Sequence, residues 1–119
     1  MLVENVNVRQ ESAAGRRRWF DGDRLELVVW YDASGAVTGF QLCYGEPAGE
    51  RALTWRPGGG FAHFAVDTGD ASPLKNETPV LVADGAVPWA ELEARFRAEG
   101  VRLEPALRDL VTTRLAARE

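Results

Sequence analysis

The chain is predicted to fold as an α+β domain, an antiparallel β-meander of about five or six strands with two C-terminal helices packed on one face. Three observations predict it. Apolar residues recur at every second position between Arg24 and Val66, turn-forming residues separate those runs, and the last third of the chain changes to helical spacing. Residues 1–119 read as a single domain, because 45% hydrophobic and 27% charged residues are ordinary for a globular chain and no linker or repeat interrupts them.

Near the start, Val6 and Val8 alternate with Asn5, Asn7 and Arg9, which predicts a short half-buried strand. Asp21-Gly22 is a hairpin signal that would make Arg17 to Phe20 an edge strand, with Arg17 opposite Glu26. Charges suit a sheet edge, so Arg16-Arg17-Arg18 reads as solvated.

Ser34-Gly35 allows a two-residue loop between Arg24–Asp32 and Val37–Tyr44, and its closure sets Leu25 opposite Tyr44, Leu27 opposite Leu42 and Val29 opposite Phe40. A slip of one residue would scatter the apolar set over both faces. The loop 45–50 then brings Tyr44 opposite Arg51, Leu42 opposite Leu53 and Phe40 opposite Trp55. Closing the turn Pro57-Gly58-Gly59-Gly60 sets Trp55 against Ala62, Leu53 against Phe64 and Arg51 against Val66. The polar stretch from Asp67 to Thr78 reads as a surface loop, and Val80 to Ala83 as the last strand.

Pro88 near a first helical turn, then Trp89, Leu92 and Phe96 at helical spacing, predicts a helix that stops at Gly100. Glu104-Pro105 opens another, with Leu107, Leu110, Val111 and Leu115 on one stripe and Leu103 just ahead. Both are available to cover the apolar face built on Leu25, Leu27, Val29, Phe40, Leu42, Tyr44, Leu53, Trp55, Ala62, Phe64 and Val66. So much apolar surface would otherwise aggregate or bind something.

The opposite face then carries Glu26, Val28, Trp30, Gln41, Cys43, Ala52, Thr54, Arg56, Phe61, His63 and Ala65, half apolar and half polar. Gly39 leaves a gap beside Trp30, so the indole can reach Arg56 and make a cation–π contact. Gln41, Thr54 and His63 are expected to converge in the next row. Trp30, Gln41, Thr54, Arg56, Phe61 and His63 are therefore the candidate ligand or interface residues. The bland alternative is that this face is half covered, with His63 a structural side chain.

His63 has the right ordinary pKa for a general base, but neither a partner nor a substrate is visible in the sequence. Cys43 is the only cysteine and reads as a small buried hydrophobe rather than a nucleophile. Lys75, the only lysine, is a loop candidate beside Asp67 and Asp70, weighed against plain solvation. Gly58-Gly59-Gly60 lacks a Gly-Lys-Ser/Thr ending and lies between strands, so it is not a phosphate loop.

A net charge of −4 argues against a nucleic-acid partner, and no run is long enough to span a bilayer. One cysteine and one histidine give neither a disulfide nor a zinc cluster; no metal and no cofactor is expected. The start of the chain has no export-like segment, which makes Asn76-Glu77-Thr78 a coincidental glycosylation match and a cytoplasmic location the expectation. Arginine supplies 13 of the 14 cationic residues, as in a GC-rich bacterium.

Trp30-Tyr31-Asp32, Gly39 to Tyr44, Arg51 to Arg56 and Val82-Ala83-Asp84-Gly85 together resemble a group of short uncharacterised bacterial proteins, over roughly Trp19 to Phe96. The resemblance implies a cytoplasmic protein and carries no catalytic or binding residues with it. The residues favour a non-catalytic binding or protein-interaction domain over an enzyme, with self-association as a homodimer through the mixed face as one expectation. The alternative is an acidic-ligand binder or enzyme using Arg56, His63, Gln41 and Thr54 beneath the 67–78 loop, and a structural role within a larger complex is the third.

Overall fold

Seven strands pair in the order in which the chain makes them: β1 (Val3–Glu4), β2 (Gly15–Asp21), β3 (Leu25–Asp32), β4 (Val37–Glu46), β5 (Gly49–Arg56), β6 (Gly60–Asp67) and β7 (Val80–Ala83). Every neighbouring pair is antiparallel, and α1 (Trp89–Glu99) and α2 (Pro105–Ala117) follow. This is the α+β meander the sequence predicts. The computed structural model describes residues 1–6, 15–46, 49–67, 80–83 and 87–117. Lys75, the Asn76-Glu77-Thr78 match, Val8 and the loop from residue 68 onward lie outside the described residues.

The core lies between one sheet face and the helices. Leu25, Leu27, Val29, Phe40, Leu42, Leu53 and Trp55 pack with Leu92 and Phe96 of α1 and Leu107, Val111 and Leu115 of α2. At roughly 25 cal/mol per Å² of apolar surface removed from water, this one layer supplies the main drive to fold. Two i,i+4 pairs, Arg95–Glu91 and Arg97–Glu93, support α1.

The expected registers of β3 with β4 and of β4 with β5 are observed, including Leu27 opposite Leu42 and Leu42 opposite Leu53. Three turns differ from expectation. Between β3 and β4 the backbone N–H of Asp32 donates to Ala36 and that of Gly35 to Asp32, so the loop holds three residues rather than two. A bulge between Trp30 and Tyr31 absorbs the extra residue and restores the register below it. The Asp32 carboxylate accepts from Ser34 and Ala36, an Asx-type lock, and the Ser34 hydroxyl is the main cause of its lowered pKa.

Asp21-Gly22 does not form the first hairpin turn. Asp21 pairs with Glu26 and Arg17 with Trp30, and the turn lies two residues later at Asp23-Arg24. Glu99 at the end of α1 selects it, its carboxylate accepting from the backbone N–H of Asp23 (2.8 Å) and of Arg24 (3.0 Å). The displacement is even in number, so side chains keep their faces and Phe20 joins the core at 3% exposure. Among the described residues the first strand is Val3–Glu4, and Val6, which the sequence places in a half-buried strand, is exposed.

The third correction decides the site. Arg51 pairs with Ala65, Leu53 with His63 and Trp55 with Phe61, one residue out of the expected register. A two-residue loop would require Pro57 to close the hairpin with its own N–H, which proline lacks. The chain makes a three-residue loop instead, with the Gly59 N–H donating to Arg56 at 3.0 Å, Pro57 at the second turn position and Gly58 at the third with φ 81°. That is the type II pattern, whose third position needs positive φ. Since strand side chains alternate, a shift of one turns all of β6 over.

Candidate functional site

Phe61 and His63 therefore lie on the helix side and not on the mixed face where the sequence reading put them. Phe61 meets Phe40 and Trp89 edge to face, at centroid distances of 6.0 and 5.1 Å. His63 stacks on Tyr44, with centroids 5.9 Å apart and planes 11° from parallel, and its Nε2 shares a hydrogen bond with the Tyr44 hydroxyl. Tyr44 is 2% exposed. The imidazole is thus a packed, hydrogen-bonded structural group, separated by the thickness of the sheet from Gln41, Thr54 and Arg56.

The other four candidates share the face turned away from the helices. Gly39 pairs with Trp30, and a Cβ there would stand 2.8 Å from the Trp55 carbonyl and 3.3 Å from Arg56 Nη1. With that space open, the Arg56 guanidinium lies 5.1 Å from the Trp30 ring centroid, the contact the sequence predicts. The Thr54 hydroxyl donates to Gln41 Oε1 at 3.0 Å, and Gln41 Nε2 donates to Cys43 Sγ at 3.2 Å. Gln41 and Thr54 converge on each other.

Sequence reasoning passed over Trp19, which pairs with Val28 and carries the Arg17 guanidinium 5.9 Å from its ring centroid. Alternation along β2 was signal enough, because Arg17 and Trp19 share a parity with residues opposite Trp30 and Val28. Phe64 and Ala62 reach this face through the changed β6 register, as the pairs Phe64–Ala52 and Ala62–Thr54 show. Trp19, Trp30 and Phe64 are all half-buried.

Three rows result. Arg17, Trp30 and Arg56 form the first, Trp19, Val28, Gln41, Thr54 and Ala62 the second, and Asp21, Glu26, Cys43, Ala52 and Phe64 the third. Glu50, opposite Gly45, extends the acidic end. Glu26 has a raised pKa, first from burial and then from the negative charges of Asp21 and Glu50, against a hydrogen bond from Trp19. Burial pushes the Cys43 thiol up to about 11, so at neutral pH it is protonated and a poor nucleophile.

Arg18, read from sequence as a solvated edge residue, points to the helix side. Its guanidinium takes both Glu4 carboxylate oxygens (3.0 and 2.8 Å) and Glu104 (2.9 Å), joining β1 and β2 to the start of α2. Its pKa is raised, chiefly by the Glu4 hydrogen bonds. A cleft of about 480 Å³ lies at the acidic end of the sheet, lined by Asp23, Glu26, Glu50, Arg24, Arg95 and Tyr44 among others. Arg56 is not part of it.

Among the described residues no group of three His, Cys, Asp or Glu side chains is placed to hold a metal ion, and no helix is long and apolar enough to cross a membrane. No family model, curated protein or solved structure matches the chain. The site must be read from its own geometry.

Proposed function

We propose that this chain is a non-catalytic interaction domain of a bacterial cytoplasm, working through the sheet face opposite its helices. The observation that carries the reading is the cluster of Trp19, Trp30 and Phe64 on that face, with Arg17 and Arg56 held over the two indoles. Aromatic and arginine side chains are the groups enriched in the energetic centres of protein interfaces. The catalytic alternative has lost its base, since His63 is bonded to Tyr44 on the helix side, and its one thiol stays protonated.

The test is photo-crosslinking in bacteria expressing the full chain, with benzoylphenylalanine substituted at Trp30 or Phe64 and, for comparison, at Arg97 or Thr113 on the exposed helix surface. Adducts are expected from the sheet positions alone. Equal adducts from the helix positions, or none from the sheet, would remove this reading.

A further inference from the structure

A second cleft, of about 280 Å³, lies on the helix side where the last turn of α2 meets the β5–β6 turn, and Trp55, Pro57, Gly58, Gly60 and Arg114 line it. One cation and no carboxylate is among them. The Arg114 guanidinium lies 5.0 Å from the centroid of the Trp55 ring, and that ring is fixed in turn, 6% exposed and stacked on Phe40 with centroids 5.4 Å apart. Such a contact holds a guanidinium in place while leaving N–H groups of its planar fork to donate elsewhere. No carboxylate among the described residues stands within ion-pair distance of Arg114.

The opposite wall is the Pro57-Gly58 turn. A Cβ on Gly58 would meet nothing within 4 Å, so the space beside the turn is open. The Gly58 N–H donates to no backbone carbonyl among the described residues, which gives the cleft a second hydrogen-bond donor.

We infer that this cleft binds a small organic monocarboxylate, its carboxylate paired with Arg114 and the Gly58 N–H and its carbon skeleton laid against Trp55 and Pro57. The planar fork of arginine matches a carboxylate in shape and charge. One positive charge balances one negative charge, whereas a phosphate dianion would carry its excess to the carbonyl end of α2, where a negative charge is disfavoured. The volume falls just below the roughly 300–1,000 Å³ of pockets for drug-sized molecules, which sets the ligand as a compact one. This site is on the helix side and does not depend on the interaction role of the sheet face.

The test titrates the isotope-labelled full chain with sodium benzoate at constant ionic strength and follows proton–nitrogen correlation spectra. Saturating shifts are expected at the Gly58 amide and the Trp55 indole N–H, with half-saturation on the order of 1 mM. Arg114→Gln should raise the half-saturation concentration about tenfold or more, as loss of a charge-assisted pair does. Arg56→Gln, which removes a cation held over a different indole and outside this cleft, should leave it unchanged. If Arg114→Gln loses the dispersed spectrum of the folded chain, Arg114→Lys replaces it; that variant keeps the charge without the planar fork and should still weaken binding several-fold. Shifts that rise without saturating, binding that neither Arg114 variant weakens, equal loss in Arg56→Gln, or inorganic phosphate binding as tightly as benzoate would each overturn the inference, and would leave Arg114 as a cover for Trp55 alone.

Discussion

Glu99 is the side chain on which the N-terminal third depends. It is 8% exposed at the end of α1, caps the Asp23-Arg24 turn with both oxygens and lies 3.8 Å from the N-terminal amine. Glu99→Gln keeps the shape but exchanges one acceptor for a donor facing a backbone N–H. Urea unfolding should show it less stable by about 1–3 kcal/mol, the range for a charged buried hydrogen-bond group. Cys43 gives a second residue-level test. A thiol with a pKa of about 11 is about one part in ten thousand thiolate at pH 7, against about one in a hundred at the ordinary 9.0, so alkylation should run roughly a hundredfold slower than for a free thiol and accelerate towards pH 11.

Glu26 supplies a pH test at the same scale. Its folded pKa is raised above 4.5, so the native state holds a proton that the unfolded chain gives up, and stability falls as pH rises from 4.5 through the raised value. In dilute solution Glu26→Gln should therefore melt higher than wild type at neutral pH, with the gap closing as pH falls to 4.5 and below. An unchanged gap would mean that the cause is not ionisation. The Trp30–Gly39–Arg56 contact was legible from sequence because the three residues lie on three successive strands, β3, β4 and β5, whose registers the hydrophobic pattern fixes. Arg18 was not, because its carboxylates come from β1 and from the start of α2, 86 residues away for Glu104.

Among the elements, the β5–β6 hairpin shows how one residue type can outweigh a hydrophobic pattern. Alternation alone favours Ala62, Phe64 and Val66 facing the core, yet Pro57 has no N–H to close that loop and Gly58 suits the longer one. That signal was present in the sequence. The first hairpin is different, since Asp-Gly is a good turn and only a carboxylate arriving from α1 moves it. Pro57→Ala restores the N–H that the two-residue loop needs, and should let β6 sample the shifted register in which Phe61 and His63 leave their stacks with Trp89 and Tyr44. The expected result is a broadened unfolding transition and loss of near-ultraviolet circular dichroism; a sharp transition at the wild-type midpoint would contradict it.

For the whole molecule, one layer of side chains joins sheet and helices, so neither is expected to survive alone. Trp55 and Trp89 belong to that layer, while Trp19 and Trp30 lie on the opposite face. Tryptophan fluorescence and far-ultraviolet circular dichroism should accordingly give coincident urea transitions, the mark of a two-state domain. Separate midpoints would mean that the helices detach first.

Period-two alternation, the position of the central turns and the helical spacing after Val87 were enough to determine the meander, the order of its strands and the face that α1 and α2 cover, because each depends on local chemistry repeated many times. The flip of β6 was written in the sequence too, in Pro57 and Gly58, since a strand turns over with a shift of a single residue. What only the tertiary structure decided is where the first hairpin turns and what Arg18 holds, because the carboxylates of Glu99, Glu4 and Glu104 come from elements that only folding brings to those places.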